Sequence, residues 1–233
     1  MSDAVTITLD APGKNSLSTD LMSRTLGEVK AAEGRPIFLT GAGDTFSAGL
    51  NLKEIIALDV PGLTTFLGVL EELVTALYEH PAPTVAYVNG HAIAGGCVLA
   101  LTCDFRVAAR NEKLRIGLNE IAIGLRFPPR TWEMCRRRMT APAFERAVLE
   151  AALYDANTAV ERGFVDTLGD EAYARAQLDA LAAHPREAYS AAKLALRPRL
   201  EVVPEVQKHF LEEIVPTWAA PELKARLTSM LKK

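Results

Sequence analysis

Polar and apolar residues alternate from Val5 to Leu9, the period of a half-buried strand, and Asp10-Ala11-Pro12-Gly13 closes it. Ser18 stands as an N-cap before Leu21, Met22, Thr25, Leu26 and Val29, which recur at helical spacing until Gly34 ends the run. Pro36 to Thr40 reads as a second, buried strand that delivers the chain into a glycine-rich loop, GAGDTFSAGLNL, at 41–52. Residues 61–80 form an amphipathic helix opened by Pro61 and closed before His80-Pro81-Ala82-Pro83. Strand, helix and strand in alternation predict an α/β domain.

The next stretch organises the chain. From Tyr87 it leaves an apolar strand, turns at Asn89-Gly90 and reaches Ala94-Gly95-Gly96 just before the apolar run Cys97 to Cys103, which predicts a buried helix. Glycines entering a helix leave main-chain N–H groups without intrahelical partners and with no side chain shielding them, the outline of an oxyanion site. Two strand-like segments follow, DFRVAA and KLRIG, and then Glu120 among Ile116, Leu118, Ile121 and Ile123. After Phe127-Pro128-Pro129 nearly everything from Arg130 onward is helical in pattern: 130–139, 142–153, 157–163, 171–184, 186–196 and 205–218. Helices segregated in this way predict a helical extension in place of continued βα alternation. Val203, Val206, Phe210, Leu211, Ile214, Val215 and Trp218 exceed what lone helices bury, so a subunit interface is expected there.

Composition adds mainly exclusions. The 233 residues are 49% hydrophobic and 24% charged with a net charge of −3, which argues against nucleic acid or an anionic membrane as partner. Cys97, Cys103 and Cys135 form no CxxC and read as small buried hydrophobes. MSDAVTITLD is already an alternating strand, not a leader, and no apolar run nears 18 residues, so a soluble cytoplasmic protein without membrane partners is expected. His80, His184 and His209 are scattered, and no spacing suggests a metal site.

The first glycine-rich loop has Phe46 where a dinucleotide fingerprint needs glycine, lacks the Gly-Lys of a phosphate loop, and has Thr45 where a nucleophile elbow needs glycine. What remains is a second loop with free N–H groups after a strand, and two such donors can clasp one oxygen. FSAGLNLKEI, VNGHAIAGGCVLALTCDFRVAA and IGLNEIAIG, in this order and at these spacings, resemble the enoyl-CoA hydratase/isomerase (crotonase) superfamily. The resemblance implies a spiral of ββα units over residues 1–185 and a C-terminal helical region, 186–233, for assembly as a homotrimer or a dimer of trimers. It implies an acyl-CoA substrate with no further cofactor. It places the two oxyanion donors on the N–H groups of Leu50 and Gly95, and Ala48 where the main chain meets the CoA adenine.

The chain departs from the family's hydratases at Val98. Hydratases carry a glutamate there and a second at the position of Glu120, and the pair activates water. With Glu120 alone the chain is similar to the mitochondrial type of Δ3,Δ2-enoyl-CoA isomerase. That resemblance implies an enolate held by Leu50 and Gly95 while Glu120 moves a proton from C2 to C4, its apolar neighbours raising its pKa. The plainer reading of Glu120 is a surface or capping carboxylate. Asn119 either orients Glu120 or ends a turn. His91 reads as structural and Arg136-Arg137-Arg138 as a solvated helix face, with contact to a CoA phosphate as the alternative. Glu54, Glu71 and Glu72 are carboxylates able to replace the missing glutamate. Rival readings are a hydratase or another enolate-forming member of the superfamily, a non-catalytic acyl-CoA scaffold, and an RNA-binding member, the last opposed by the acidic balance.

Overall fold

The computed structural model describes residues 3–232. Its strands are β1 (Val5–Leu9), β2 (Ile37–Gly41), β3 (Thr45–Ser47), β4 (Thr84–Val88), β5 (His91–Ile93), β6 (Phe105–Ala108), β7 (Ile116–Gly117) and β8 (Thr167–Leu168). They form two sheets, β1-β2-β4-β6-β8 and β3-β5-β7, with every pairing parallel. From β2 onward the chain visits the large sheet, then the small one, then a helix, and repeats, which is the expected spiral of ββα units. The inner strands β2 and β4 are covered on both faces and therefore run apolar without alternation, whereas edge strand β1 alternates.

The helices that position the site are α1 (Thr19–Ala31), α2 (Leu52–Ala57), α3 (Val60–Tyr78), α4 (Gly95–Thr102), α5 (Glu120–Ile123) and α6 (Pro129–Arg138). Ser18 accepts from Leu21 N–H and so caps α1 as expected, and Asn51 accepts from the N–H groups of Lys53 and Glu54 to cap α2. By length and composition α3 is apolar enough to cross a membrane, although no such run was expected. It packs Leu63, Phe66, Leu70, Leu73 and Leu77 into the protein core and carries Glu71 and Glu72 at its middle.

Beyond α6 come α7 (Ala141–Glu150), α8 (Ala156–Glu161), α9 (Glu171–Ala182), α10 (Arg186–Leu196), α11 (204–218) and α12 (Pro221–Met230). Two expectations need correction. The strand–helix alternation does not stop at the helical half, because β8 returns to pair with β6 and extends it to Leu168. Two residues are too few to show a period. The supposed surplus of apolar surface in α11 is also smaller, since Phe210, Ile214, Val215 and Trp218 are buried against the chain's own core. Within α11, Phe210–Ile214 form a π turn in which Val215 N–H donates to Phe210 O. Pro216 supplies no N–H to the carbonyl one turn back, and the wider turn accommodates that loss.

α10 is fixed through a buried carboxylate. Asp104, at the entry to β6, accepts from Thr84 N–H at 2.8 Å, Lys193 Nζ at 2.9 Å and Tyr189 OH at 2.9 Å, and pairs with Arg197 at 2.7 Å. Burial alone would raise its pKa, but Lys193 and Arg197 outweigh that and hold the carboxyl below the usual aspartate range.

Candidate active site

The three strands of the small sheet end side by side, and each delivers one site residue just past its carboxyl end. Leu50 follows β3, Gly95 follows β5 and Glu120 follows β7. Ligands of open parallel sheets bind at this edge. The β3 and β5 loops touch directly: a β-carbon on Gly49, whose φ is +87°, would lie 2.6 Å from Ile93 O and 3.4 Å from Gly95 N. Gly96 is needed for the same closeness, because a β-carbon there would sit 2.4 Å from Ser47 O.

The backbone around Leu50 and Gly95 is fixed by its own hydrogen bonds. Ala94 adopts φ 48°, ψ −119°, a conformation costly for a residue with a β-carbon. It is locked by Ala94 N–H donating to Gly117 O at 2.9 Å and Val98 N–H donating to Ala94 O at 2.9 Å. That twist sets Gly95 N–H at the start of α4, where it has no acceptor among the described residues. Leu50 N–H also has none, because the bridge to Leu17 engages Gly49 O and Asn51 N–H instead. Ala48 lines the same cavity, with its own N–H donated to Lys14 O at 3.0 Å.

Glu120 opens α5 and is 7% exposed, which removes the surface reading. Its Oε2 is buried without a hydrogen-bond partner, and burial pushes its pKa up to about 8. Asn119 caps the turn, its main-chain oxygen accepting from Ala122 N–H at 3.1 Å. No described hydrogen bond joins it to Glu120, and its side-chain Oδ1 is buried and unpaired.

Ala48, Leu50, Gly95, Asn119 and Glu120 all line one cavity of about 210 Å³. Val98 lies in its wall one turn into α4, and Glu120 is the only carboxylate among the described lining residues. The other carboxylates are engaged elsewhere. Glu54 accepts from Thr19 N–H at the start of α1, Glu71 accepts from Arg130 N–H at 2.6 Å at the start of α6, and Glu72 is on the surface near Lys30. His91 is structural, accepting from Arg115 N–H at 3.0 Å.

The arginine run is not a uniform solvated face. Arg136 and Arg137 pair with Glu133, but Arg138 turns inward and donates to Leu101 O and Cys103 O at the end of α4. None of the three lines the cavity. Cys97 and Cys135 are buried, and burial pushes both thiols well above the ordinary range, which keeps them unreactive.

Leu70, Thr131, Trp218 and Met230 also line the cavity and had no sequence signal, because they arrive from α3, α6, α11 and α12 only through tertiary packing.

The spiral of parallel ββα units with its C-terminal helices is the crotonase fold. A profile of the enoyl-CoA hydratase/isomerase family matches residues 2–215, and the chain belongs to that family. It is 32% identical over 165 residues to the human mitochondrial enoyl-CoA delta isomerase 1, covering 69% of this chain and 55% of that protein. The chain therefore spans about half the length of the mitochondrial relatives it matches. It is 30% identical over 205 residues to the 2,3-dehydroadipyl-CoA hydratase of Escherichia coli, covering 84% of this chain and 79% of that one. Among solved structures, human mitochondrial delta3-delta2-enoyl-CoA isomerase superposes with a TM-score of 0.85 at 26% identity, covering 98% of this chain and 93% of that one.

The buried carboxyl carries a stability prediction. A folded-state pKa near 8 against 4.5 means the native state holds its proton while the unfolded chain loses it. Glu120's contribution is thus fully present below pH 4.5 and is lost as the pH rises to about 8. Glu120→Gln, which cannot ionise, is expected to raise Tm by about 5 °C at pH 8 and to change it little at pH 4.5. Scanning calorimetry at the two pH values reads this, and an equal shift at both would remove the assignment of a strained buried acid.

Proposed function

We propose that the protein is an acyl-CoA isomerase that moves a double bond from C3 to C2 of an unsaturated thioester. The observation that carries this reading is the single carboxylate among the described cavity-lining residues, in the same cavity as Leu50 and Gly95, whose N–H groups are unengaged. The thioester oxygen lies between Leu50 N–H and Gly95 N–H, where the negative charge of an enolate would develop, and one such donor supplies about 3 kcal/mol in comparable oxyanion holes. Glu120 removes a proton from C2, keeps it as a neutral acid while the enolate forms, and returns it to C4. Atoms balance without water, redox partner or metal, and CoA belongs to the substrate.

A hydratase has the similarity to the Escherichia coli relative in its favour. Water addition needs a second group to hold and activate the nucleophile, and the corresponding wall position is Val98. Incubation with a 3-enoyl-CoA is expected to produce the absorbance of the conjugated thioester, and a 2-enoyl-CoA is expected to remain unhydrated. Hydration of the second without isomerisation of the first would reverse the assignment.

A further inference from the structure

The reaction cavity shares part of its wall with a second groove. Arg126 and Phe127 line both the cavity and a larger, more open groove of about 370 Å³ on the other side of them. Pro128 faces only the cavity and Pro129 only the groove, so this short segment is a partition about one residue thick. The opposite side of the groove leads to the same place. Val206, Phe210 and Ile214 line the groove and Trp218 lines the cavity, all at four-residue spacing along α11. At 1.5 Å rise per residue that stripe is roughly 18 Å long.

The groove is apolar where a monomer has little reason to be, since Trp132, Val203 and Val206 are 41%, 60% and 50% exposed. A third groove adjoins the cavity elsewhere, sharing Ala48, Leu50 and Leu52 and carrying Lys53. That mouth, with Lys53 as the one charged side chain among its described lining residues, lies on the oxyanion side. The groove beside Phe127, whose apolar stripe is flanked by Arg126, Glu133, Glu201 and His209, shares no lining residue with it, so a thioester held at Leu50 and Gly95 has different exits for its two ends.

We propose that the groove between α6 and α11 takes the distal part of a long acyl chain, with Phe127 as the gate between reaction cavity and groove. The substrates would then be long-chain acyl thioesters, with short chains ending inside the cavity. This rests on the acyl-CoA reading above, so the test uses saturated acyl-CoAs, which bind without reacting. Calorimetry below micelle-forming concentrations should show tetradecanoyl-CoA binding at least about tenfold more tightly than hexanoyl-CoA, because its extra methylenes leave water.

Val206→Glu, at a half-exposed position that tolerates charge, should lower that ratio about tenfold, and Val206→Leu should retain it. The ratio of kcat/KM for 3-tetradecenoyl-CoA over 3-hexenoyl-CoA should fall with Val206→Glu in the same way, through KM. Equal affinity for the two chains overturns the groove assignment while leaving the thioester site standing. Binding of neither removes the acyl-CoA reading itself. Self-association that Val206→Glu abolishes, with no change in chain-length preference, would make the groove a contact between copies and also overturn the proposal.

Discussion

Glu120→Gln is expected to lower turnover of a 3-enoyl-CoA by about a thousandfold or more while leaving acyl-CoA affinity within about threefold. Glutamine preserves the shape of the side chain and its place at the start of α5, so the cavity and both N–H donors persist. It cannot take a proton from C2, and the cavity offers no other carboxylate among its described lining residues. The pH profile of the unaltered protein should carry the same signature. Only ionised Glu120 is a base, and burial pushes its pKa up to about 8, so kcat/KM is expected to rise with pH and level off above about 8. Stopped-flow measurement of conjugation absorbance across pH, for both proteins, tests the pair of statements. A variant with undiminished turnover would require a different base.

Asp104→Ala should produce a large loss of stability, about 3–5 kcal/mol. The carboxylate receives hydrogen bonds from a backbone N–H, a lysine and a tyrosine, and pairs with an arginine. Without it Lys193, 7% exposed, keeps only the carbonyl of Ala82 and remains a buried cation with no counter-charge. The triple variant Asp104→Leu with Lys193→Met and Arg197→Met removes the carboxylate together with both cations that face it and is expected to recover much of the loss. Urea unfolding of the three proteins gives the values. A cost below about 1 kcal/mol for Asp104→Ala would show that the network is solvent-relaxed and does not hold α10.

The elements legible in the sequence share a physical character. α1 and α3 have enough turns for a 3.6-residue period to repeat, and Ser18 and Asn51 can cap because their side chains satisfy N–H groups within a few residues. β2 and β4 stand out because a strand buried on both faces is apolar throughout. β3, β5, β7 and β8 have two or three residues each, too few to show any period, although the first three carry the site. β3 and β5 were recoverable through the loops after them, where glycines mark close backbone approach, and β7 lies within the strand-like segment KLRIG. Arg138 was misread for a related reason. Its inward direction depends on carbonyls at the end of α4 that local sequence does not reveal.

By itself the sequence determined the α/β alternation, the two glycine-bearing turns with unengaged amides, and a carboxylate in apolar company with valine where a second acid could stand. These are local properties, set by backbone sterics and by side-chain polarity over a few residues. Tertiary structure alone decided that the three turns meet at one edge of a small parallel sheet, that Glu54 and Glu71 are occupied elsewhere, and that Trp218 and Met230 wall the cavity. It also decided that Arg126 and Phe127 stand between the cavity and a second groove. Such facts depend on which distant surfaces pack together, and that is settled by shape and burial across the whole chain.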